Sequence, residues 1–386
     1  MRAVVIGAGI GGLAAAAGLR RAGVDVVVLE RSRELRPVGA GISLWANAFT
    51  ALDALGLGRE VRARTGPAAA ALQAGQRSPD GRWLCRTPAA AVAGLGVLHR
   101  AELQEVLLAA AGEVRLGVEV TAVSPDGRGV VHSGGREEAD LVVAADGIHS
   151  GVRASWPGDP GLRYAGYSAW RGVTSGPVDL LGAAGETWGR RLRFGLVPLR
   201  DGRVYWFGVA SGPPGCTAPD EHAAARETFA GWHAPIPAVL AATPPEAVHR
   251  GDIIDLAAAP PTFRRGRCVL LGDAAHAMTP DLGQGGGQAL EDAATLVRLV
   301  GPPHAWTDGS LDAAPARYDA LRRPRTARLM KAARRVGAVA QAGSPLGAGL
   351  RDLALRLIPD ALAGGPLRRV QAWRPPPQQQ PTAAGA

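Results

Sequence analysis

The chain has 386 residues, 47% of them hydrophobic and 20% charged, with a formal net charge of +9. This length supports roughly two or three domains of ordinary globular composition. Its positive charge comes almost entirely from arginine, with Lys331 the single lysine, and is scattered along the chain. Because nucleic-acid binders gather basic residues on one face among aromatic ones, we expect no nucleic-acid partner. The arginine cluster at 322–335 is interpreted as a solvated helix face.

The three cysteines lie far apart and form no C-x-x-C pair, so the sequence predicts neither a disulfide framework nor a metal site. The first residues are already strand-like, which leaves no room for a signal peptide. No apolar run approaches the ~18 residues that a membrane span needs. We therefore expect a cytoplasmic protein without a membrane partner.

The segment AVVIGAGIGGLAAAAGLRRAGVDVVVLER at 3–31 predicts a strand, a tight turn, a helix and a second strand. Gly23 is expected to end the helix. Helical spacing follows at 51–58 and 101–112, each stopped by glycine, and EADLVVAAD at 138–146 is typical of a buried strand.

The sequence becomes rich in β-forming residues between about 161 and 257. Within it, two short β-rich runs at 192–210, separated by a Pro/Asp/Gly turn, predict a hairpin. Helical patterns return from Gly283 and again over 313–341, where Pro324 is expected to kink or restart the helix. The end, WRPPPQQQPTAAGA, is of low complexity.

These elements predict an α/β protein: a Rossmann-like βαβ domain, a β-rich domain inserted into it, and a C-terminal helical segment. The predicted division comprises a discontinuous first domain (1–72, 91–160 and 262–310), a β-rich domain (73–90 and 161–261), C-terminal helices (311–374) and a disordered tail (375–386).

Gly7, Gly9 and Gly12 form a G-x-G-x-x-G fingerprint between a strand and a helix, the context that dinucleotide binding requires. The glycines permit the tight turn, the approach of a pyrophosphate and close packing of helix on strand. Glu30, at the end of the second strand, is suited to accept hydrogen bonds from ribose hydroxyls. The fingerprint alone does not distinguish NAD from FAD.

Two later motifs, DLVVAADGIHSGVR (140–153) and RCVLLGDAAHAMTPDLGQGGGQALEDA (267–293), follow GAGIGG (7–12) in order. Together they resemble the group A flavoprotein monooxygenases, the p-hydroxybenzoate hydroxylase-like family of FAD-dependent aromatic hydroxylases. VGAGISLWAN, LHRAELQEVL, YAGYSAWRGV and RRPR add to the resemblance, which spans about residues 1 to 340 and favours the subgroup of 3-hydroxybenzoate 6-hydroxylase, salicylate hydroxylase and urate hydroxylase.

The resemblance implies one FAD, held mostly by the first domain. Asp273 matches the acid that binds the ribityl chain or ribose, and Gly287 replaces an asparagine that contacts the flavin in many members. The positions implied to hold FAD are Gly7, Gly9, Gly12, Glu30, Arg31, Arg100, Gln104, Asp146, Gly147, Asp273, Pro280, Gly283, Gly285, Gly286 and Gly287.

The family resemblance further implies that NADH or NADPH, bound transiently, reduces FAD, and that a C4a-hydroperoxyflavin then transfers oxygen from O2 to an aromatic or heteroaromatic substrate. The β-rich domain is expected to cover this site as a substrate domain. Epoxidation, Baeyer–Villiger insertion, decarboxylative oxidation and a non-enzymatic flavin-binding scaffold stay open as alternatives. A flavin halogenase is disfavoured, because its active-site lysine has no counterpart beside the flavin loop.

Arg193 and Tyr205, on the two halves of the predicted hairpin, match substrate-holding positions and are the candidate catalytic residues. Trp45 and Trp170 are candidate cavity-lining residues. His276 is assigned a structural role beside the flavin. A monomer or a homodimer is expected.

Overall fold

The computed structural model describes residues 1–35, 41–66, 72–302, 306–359, 362 and 364–377. The strands in chain order are β1 (Arg2–Ile6), β2 (Asp25–Glu30), β3 (Gly41–Leu44), β4 (Gln73–Arg77), β5 (Trp83–Arg86), β6 (Gly96–His99), β7 (Val114–Leu116), β8 (Val120–Val123), β9 (Gly129–His132), β10 (Gly135–Glu138), β11 (Leu141–Ala144), β12 (Leu162–Val173), β13 (Ala183–Trp188), β14 (Leu192–Pro198), β15 (Val204–Ser211), β16 (His249–Leu256), β17 (Arg264–Arg265) and β18 (Cys268–Leu270).

The helices alternate with these strands in the first domain and dominate the C-terminal part. In chain order they are α1 (Ile10–Arg21), α2 (Ala46–Ala54), α3 (Gly58–Arg64), α4 (Ala89–Val92), α5 (Arg100–Ala111), α6 (Gly151–Ala154), α7 (Glu221–Thr228), α8 (Ile236–Ala241), α9 (Asp273–His276), α10 (Gly285–Val300), α11 (Asp308–Ala340), α12 (Pro345–Arg356) and α13 (Gly365–Gln371). Short 3₁₀ turns lie at Pro245–Ala247 and Pro280–Leu282.

A six-stranded sheet in the order β17-β18-β11-β1-β2-β7 forms the centre of the first domain, parallel except for the edge strand β17. Its inner strands are almost continuous runs of buried Val, Leu and Ala, as expected for a parallel sheet covered on both faces. The helix α1 packs against both α5 and α10. Strand β18 joins this sheet from far along the chain, after the strands of the β-rich segment.

A seven-stranded sheet in the order β16-β12-β15-β14-β13-β4-β5 forms the second layer. The predicted hairpin is present as the antiparallel pair β14–β15. Strands β4 and β5 enter this sheet beside β13, which brings the two predicted pieces of the β-rich region together. Side chains on one face pack with α7 and α8 around Phe194, Trp206 and Phe229. The opposite face lies toward the first domain.

The C-terminal helix α11 runs for 33 residues through both Pro315 and Pro324, so the expected restart at Pro324 does not occur. A proline in a helix interior costs ~3 kcal/mol, and burial of the large side chains of Tyr318, Leu329 and Met330 on the same helix offsets this cost. The predicted disordered tail falls outside the described residues from position 378 onward. None of the described helices combines the length and the apolarity needed to cross a bilayer.

Candidate functional site

The carboxyl ends of β1, β11 and β18 meet at one edge of the parallel sheet, where such folds bind their ligands. Gly7 follows β1 at φ +99°, and a Cβ there would collide with the Ala145 carbonyl after β11. Gly11 lies against Leu271 after β18 and Ala289 of α10. Three distant segments therefore converge on one crevice.

The first turn of α1 faces this crevice with no side chain capping it. Gly9 is the N-cap residue, and a Cβ built on it would meet no atom within 4 Å. A Cβ on Gly12 would lie closer than 3.0 Å to the Gly7 carbonyl oxygen, so Gly12 permits the close packing of helix on turn. Uncapped N–H groups and the positive end of the helix dipole form an anion site.

Glu30 ends β2 beside this turn. Its carboxylate accepts hydrogen bonds from the backbone N–H groups of Ala8 (2.7 Å) and Ser32 (2.8 Å). Each carboxylate oxygen keeps a further lone pair for a hydroxyl donor. Arg31 and Arg100 are exposed.

The structure also locates the other positions implied to hold FAD. Gln104 is half-buried on α5. Asp146 accepts a bond from the Val152 N–H (3.3 Å), and Gly147 has φ +81° and faces open space. Asp273 is exposed at the start of α9.

The glycine-rich segment forms a single 3₁₀ turn at Pro280–Leu282, a left-handed Gly283 (φ +59°), and then the uncapped start of α10. A Cβ on Gly285 would meet no atom within 4 Å, whereas one on Gly286 would lie 2.9 Å from Ile42. Trp45 lies beside Gly283 as the N-cap of α2. The segment thus presents open backbone to the crevice.

Gly287 occupies the position at which the family resemblance implies an asparagine. A Cβ there would make ordinary van der Waals contacts with the Asn47 and Gln284 amides, at 3.5 and 3.6 Å. These two amides hydrogen-bond to each other at 3.0 Å. The side-chain amides of Asn47 and Gln284 therefore lie next to the place that an asparagine side chain at position 287 would occupy.

Below α10, a fully buried ionic network fixes the helix. His276 Nε2 lies 2.5 Å from Asp292, whose second oxygen accepts from Arg322 Nε at 2.6 Å. Burial alone would raise the pKa of Asp292, but His276 and Arg322 outweigh it and hold that pKa at about 2. Glu291 pairs with Arg322 and Arg325. These contacts give His276 a position inside the protein core, in agreement with its assigned structural role.

The sheet of the second layer meets the turn at one polar cluster. Tyr167 Oη donates to Asp281 Oδ2 at 2.6 Å, and Arg193 donates to Asp281 Oδ1 at 2.6 Å. The Arg193 side chain is only 2% exposed and that of Asp281 is fully buried. Burial alone would lower the pKa of Arg193, but the Glu186 and Asp281 carboxylates raise it. The substrate contact of Arg193 stays a prediction, and its observed partners are carboxylates of the protein.

Tyr205 lies on the same sheet face as Arg193, because it pairs with Val197, four residues after Arg193 on β14. Its ring packs against Gly41, where a Cβ would lie 2.7 Å from the ring. Burial raises the pKa of Tyr205, and this effect outweighs the nearby positive charge of Arg171, which acts in the opposite direction. Tyr205 therefore stays a neutral donor and acceptor near this crevice.

Trp170 does not line the cavity, which corrects the sequence prediction. It is three residues from Tyr167 on β12, so its side chain lies on the opposite sheet face. There it is 3% exposed, contacts Phe229 edge-on and donates from Nε1 to Glu221 at 2.6 Å. Trp170 belongs to the core between the sheet and α7.

Asp281, Tyr167 and Arg171 were missed by reasoning from the sequence. Asp281 lies in the quoted glycine-rich motif, and a carboxylate among glycines was a signal that could have been used. Strict two-residue alternation along β12 would also have separated Tyr167 and Arg171 from Trp170.

The backbone groups that face the crevice are of the kind that FAD requires. A Cβ on Gly9, Gly147 or Gly285 would meet no protein atom within 4 Å, so a cofactor could approach the backbone at these three glycines. Two uncapped helix N-termini, α1 and α10, face it and suit a pyrophosphate and the electron-rich edge of a flavin.

The family model described as FAD binding domain matches residues 1–333. The chain is 39% identical over 368 residues to the aurachin C monooxygenase/isomerase of Stigmatella aurantiaca, with 92% of this chain and 94% of that protein covered. It is 38% identical over 313 residues to the FAD-dependent urate hydroxylase of Klebsiella pneumoniae, covering 77% and 80%.

The crystal structure of Klebsiella pneumoniae HpxO complexed with FAD and uric acid superimposes with a TM-score of 0.87 at 31% identity, covering 96% of each chain. These similarities confirm the predicted α/β flavoprotein fold, the FAD cofactor and NAD(P)H as co-substrate. The chain belongs to the group A flavoprotein monooxygenases, FAD-dependent enzymes that insert one oxygen atom into their substrates.

Proposed function

We propose that this protein hydroxylates a small aromatic or heteroaromatic molecule, with O2 as oxidant and NADH or NADPH as reductant. The observation that carries the proposal is the cluster in which Tyr167 and Arg193 of the sheet hold Asp281 of the glycine-rich turn. It fixes the turn against the substrate-domain face that also carries Tyr205. A polar, planar substrate between them would meet hydroxyl, guanidinium and carboxylate groups.

Within the first domain, the α1 N-terminus would hold the pyrophosphate of FAD and Glu30 a ribose hydroxyl. Asp273 and the backbone of Gly283–Gly287 would contact the ribityl chain and the flavin ring. Arg31, Arg100, Gln104, Asp146 and Gly147 would complete the cofactor site. Bound FAD supplies the electron transfer from NAD(P)H to O2 and the transfer of one oxygen atom.

The protein groups orient the substrate and exclude water. Tyr205 and Arg171 would bind a carbonyl or phenolic oxygen, since a neutral phenol both donates and accepts. Arg193 would act mainly as a positioning residue, holding Asp281 in the turn. The sheet would cover the reacting atoms from water, which favours oxygen transfer over loss of peroxide. Relatives named for urate support heteroaromatic substrates.

The test is a screen of phenols, quinolones and purines for substrate-stimulated NAD(P)H oxidation, followed by mass spectrometry of products formed under isotopically labelled O2. One labelled oxygen in a hydroxylated product is expected. A labelled epoxide or ester would show that the reaction is epoxidation or Baeyer–Villiger insertion and not hydroxylation. If no substrate stimulates NAD(P)H oxidation, a flavin-binding scaffold would be favoured.

A matched pair of variants tests the site. Tyr205→Phe is expected to raise KM about tenfold, because one hydrogen bond to substrate is lost. Tyr164→Phe is the control, since its hydroxyl donates to the Gly212 carbonyl (2.8 Å) elsewhere in the sheet. Equal KM values in the two variants would contradict the placement of substrate at Tyr205.

A further inference from the structure

The outer face of α12 carries a row of exposed leucines. Leu346, Leu350, Leu353 and Leu357 are 74%, 58%, 52% and 71% exposed. Their spacing of four, three and four residues places them on one side of the helix. Soluble monomers rarely leave such a contiguous apolar surface uncovered, so this leucine face indicates a binding surface.

The inner face of α12 is firmly anchored, so the leucine face is held outward. Arg351 is buried and donates to the carbonyl oxygens of Gly189 (3.0 Å) and Ala340 (2.9 Å). Its guanidinium lies 5.7 Å from the centre of the Trp188 ring. Rotating the helix to bury the leucines would break these contacts to Gly189, Ala340 and Trp188.

Exposed arginines flank the leucine face at both ends. Arg190 and Arg191 lie beside its N-terminal end, where Arg190 donates to the Gly343 carbonyl, and Arg356 lies near its C-terminal end. Arg190, Arg191 and Arg356 are all solvent-exposed. Their charge is therefore available to an external anionic partner.

We propose that α12 binds the surface of an anionic lipid bilayer, with its leucine face in the acyl boundary and its arginines at the headgroups. An interfacial helix combines these two features. A second copy would bring like-charged arginines together across the interface. Residues 378–386, QQQPTAAGA, contain no large apolar residue. A membrane partner was not expected from the sequence, because an interfacial helix carries no long apolar run.

A cleft of about 530 Å³ opens at the N-terminal end of α12, lined in part by Arg191, Gln341 and Ser344. Gln341 is one helical turn after Gly337, which packs against Asp281 and the Tyr167 hydroxyl. Docking of α12 would thus place this opening at the lipid surface, within reach of substrates dissolved in the bilayer. This consequence rests on the proposed function, whereas lipid binding itself does not.

The experiment is co-sedimentation of the FAD-loaded protein with vesicles of phosphatidylcholine, with and without phosphatidylglycerol. Wild type is expected to bind the anionic vesicles. Leu350→Glu/Leu353→Glu is expected to weaken binding about 100-fold, because two leucines that would enter the acyl boundary are lost. Leu116→Glu/Val131→Glu, on exposed strands of the first domain, is the matched control and should bind like wild type.

Arg190→Gln/Arg356→Gln is expected to weaken binding to anionic vesicles about tenfold. Flavin absorbance and far-UV circular dichroism verify that each variant is folded. No binding of wild type to either vesicle, or equal binding to both, would overturn the proposal. The proposal would also be overturned if wild type does not bind vesicles and is a dimer in light scattering, whereas the α12 leucine variant is a monomer. That result would show that the leucine face binds a second copy of the chain.

Discussion

The three fingerprint glycines should separate into one that serves FAD and two that serve the fold. Gly9 has φ −74° and ψ 176°, which alanine adopts without strain, and open space at its Cβ position. Gly9→Ala reduces the conformational entropy of the unfolded chain, which stabilises the folded state by about 0.4–1 kcal/mol. Alanine is a poorer N-cap residue, which destabilises the folded state by about 0.5–1 kcal/mol. The free energy of unfolding of the FAD-free protein is therefore expected to change by less than about 1 kcal/mol.

FAD affinity should respond differently. The added methyl group occupies the space above the α1 N-terminus, so it keeps the pyrophosphate from one or two N–H groups. Each charge-assisted hydrogen bond contributes about 1.5–3 kcal/mol, so Gly9→Ala should raise the Kd for FAD about 10- to 100-fold.

Gly12→Ala should show the reverse pattern. Its Cβ would lie closer than 3.0 Å to the Gly7 carbonyl oxygen, a backbone atom that cannot rotate away. Overpacking of this kind costs about 1–3 kcal/mol, so the FAD-free protein should be destabilised by at least that amount. Gly176→Ala, at a loop glycine with open space and no positive φ, is the control for both measurements.

Urea unfolding of the FAD-free variants and titration with FAD, followed by flavin fluorescence, measure the two quantities. Wild-type affinity for FAD in Gly9→Ala would refute the placement of the pyrophosphate. Wild-type stability in Gly12→Ala would refute the packing argument, whatever happens to the cofactor.

Two further predictions concern the core. His276 and Arg322 hold the pKa of Asp292 at about 2, below its value in the unfolded chain. The ionised carboxylate therefore stabilises the folded state by about 2 kcal/mol at pH values above its unfolded pKa. This stabilisation is lost as the pH falls from about 4 through about 2. Asp292→Asn should remove that part of the pH dependence in urea unfolding, and an unchanged acid limb would contradict it. Trp170→Phe should lower the free energy of unfolding by about 1–2 kcal/mol, because Glu221 Oε2 loses the indole donor. Steady-state kinetics should show an unchanged KM, and a raised KM would indicate that Trp170 does line the substrate cavity.

The sequence by itself determined the α/β class, and the family resemblance of its three motifs implied the cofactor and the chemistry. The G-x-G-x-x-G turn, the Asp-Gly motif and the glycine-rich segment need particular backbone conformations, and glycines at fixed positions record that need in the sequence. The hairpin of β14 and β15 was likewise visible, since alternation and turn residues are local signals.

Tertiary structure alone decided which polar groups meet. Asp281 finds Tyr167 and Arg193 across more than 80 residues of chain, and no local pattern encodes such a pairing. Whether the Trp170 side chain lies toward the cavity or toward α7 depends on which face of the sheet the first domain covers. The exposure of the α12 leucines follows from the anchoring of Arg351 against another element. Such long-range packing is a property of the assembled layers, because burial is set by whatever lies opposite.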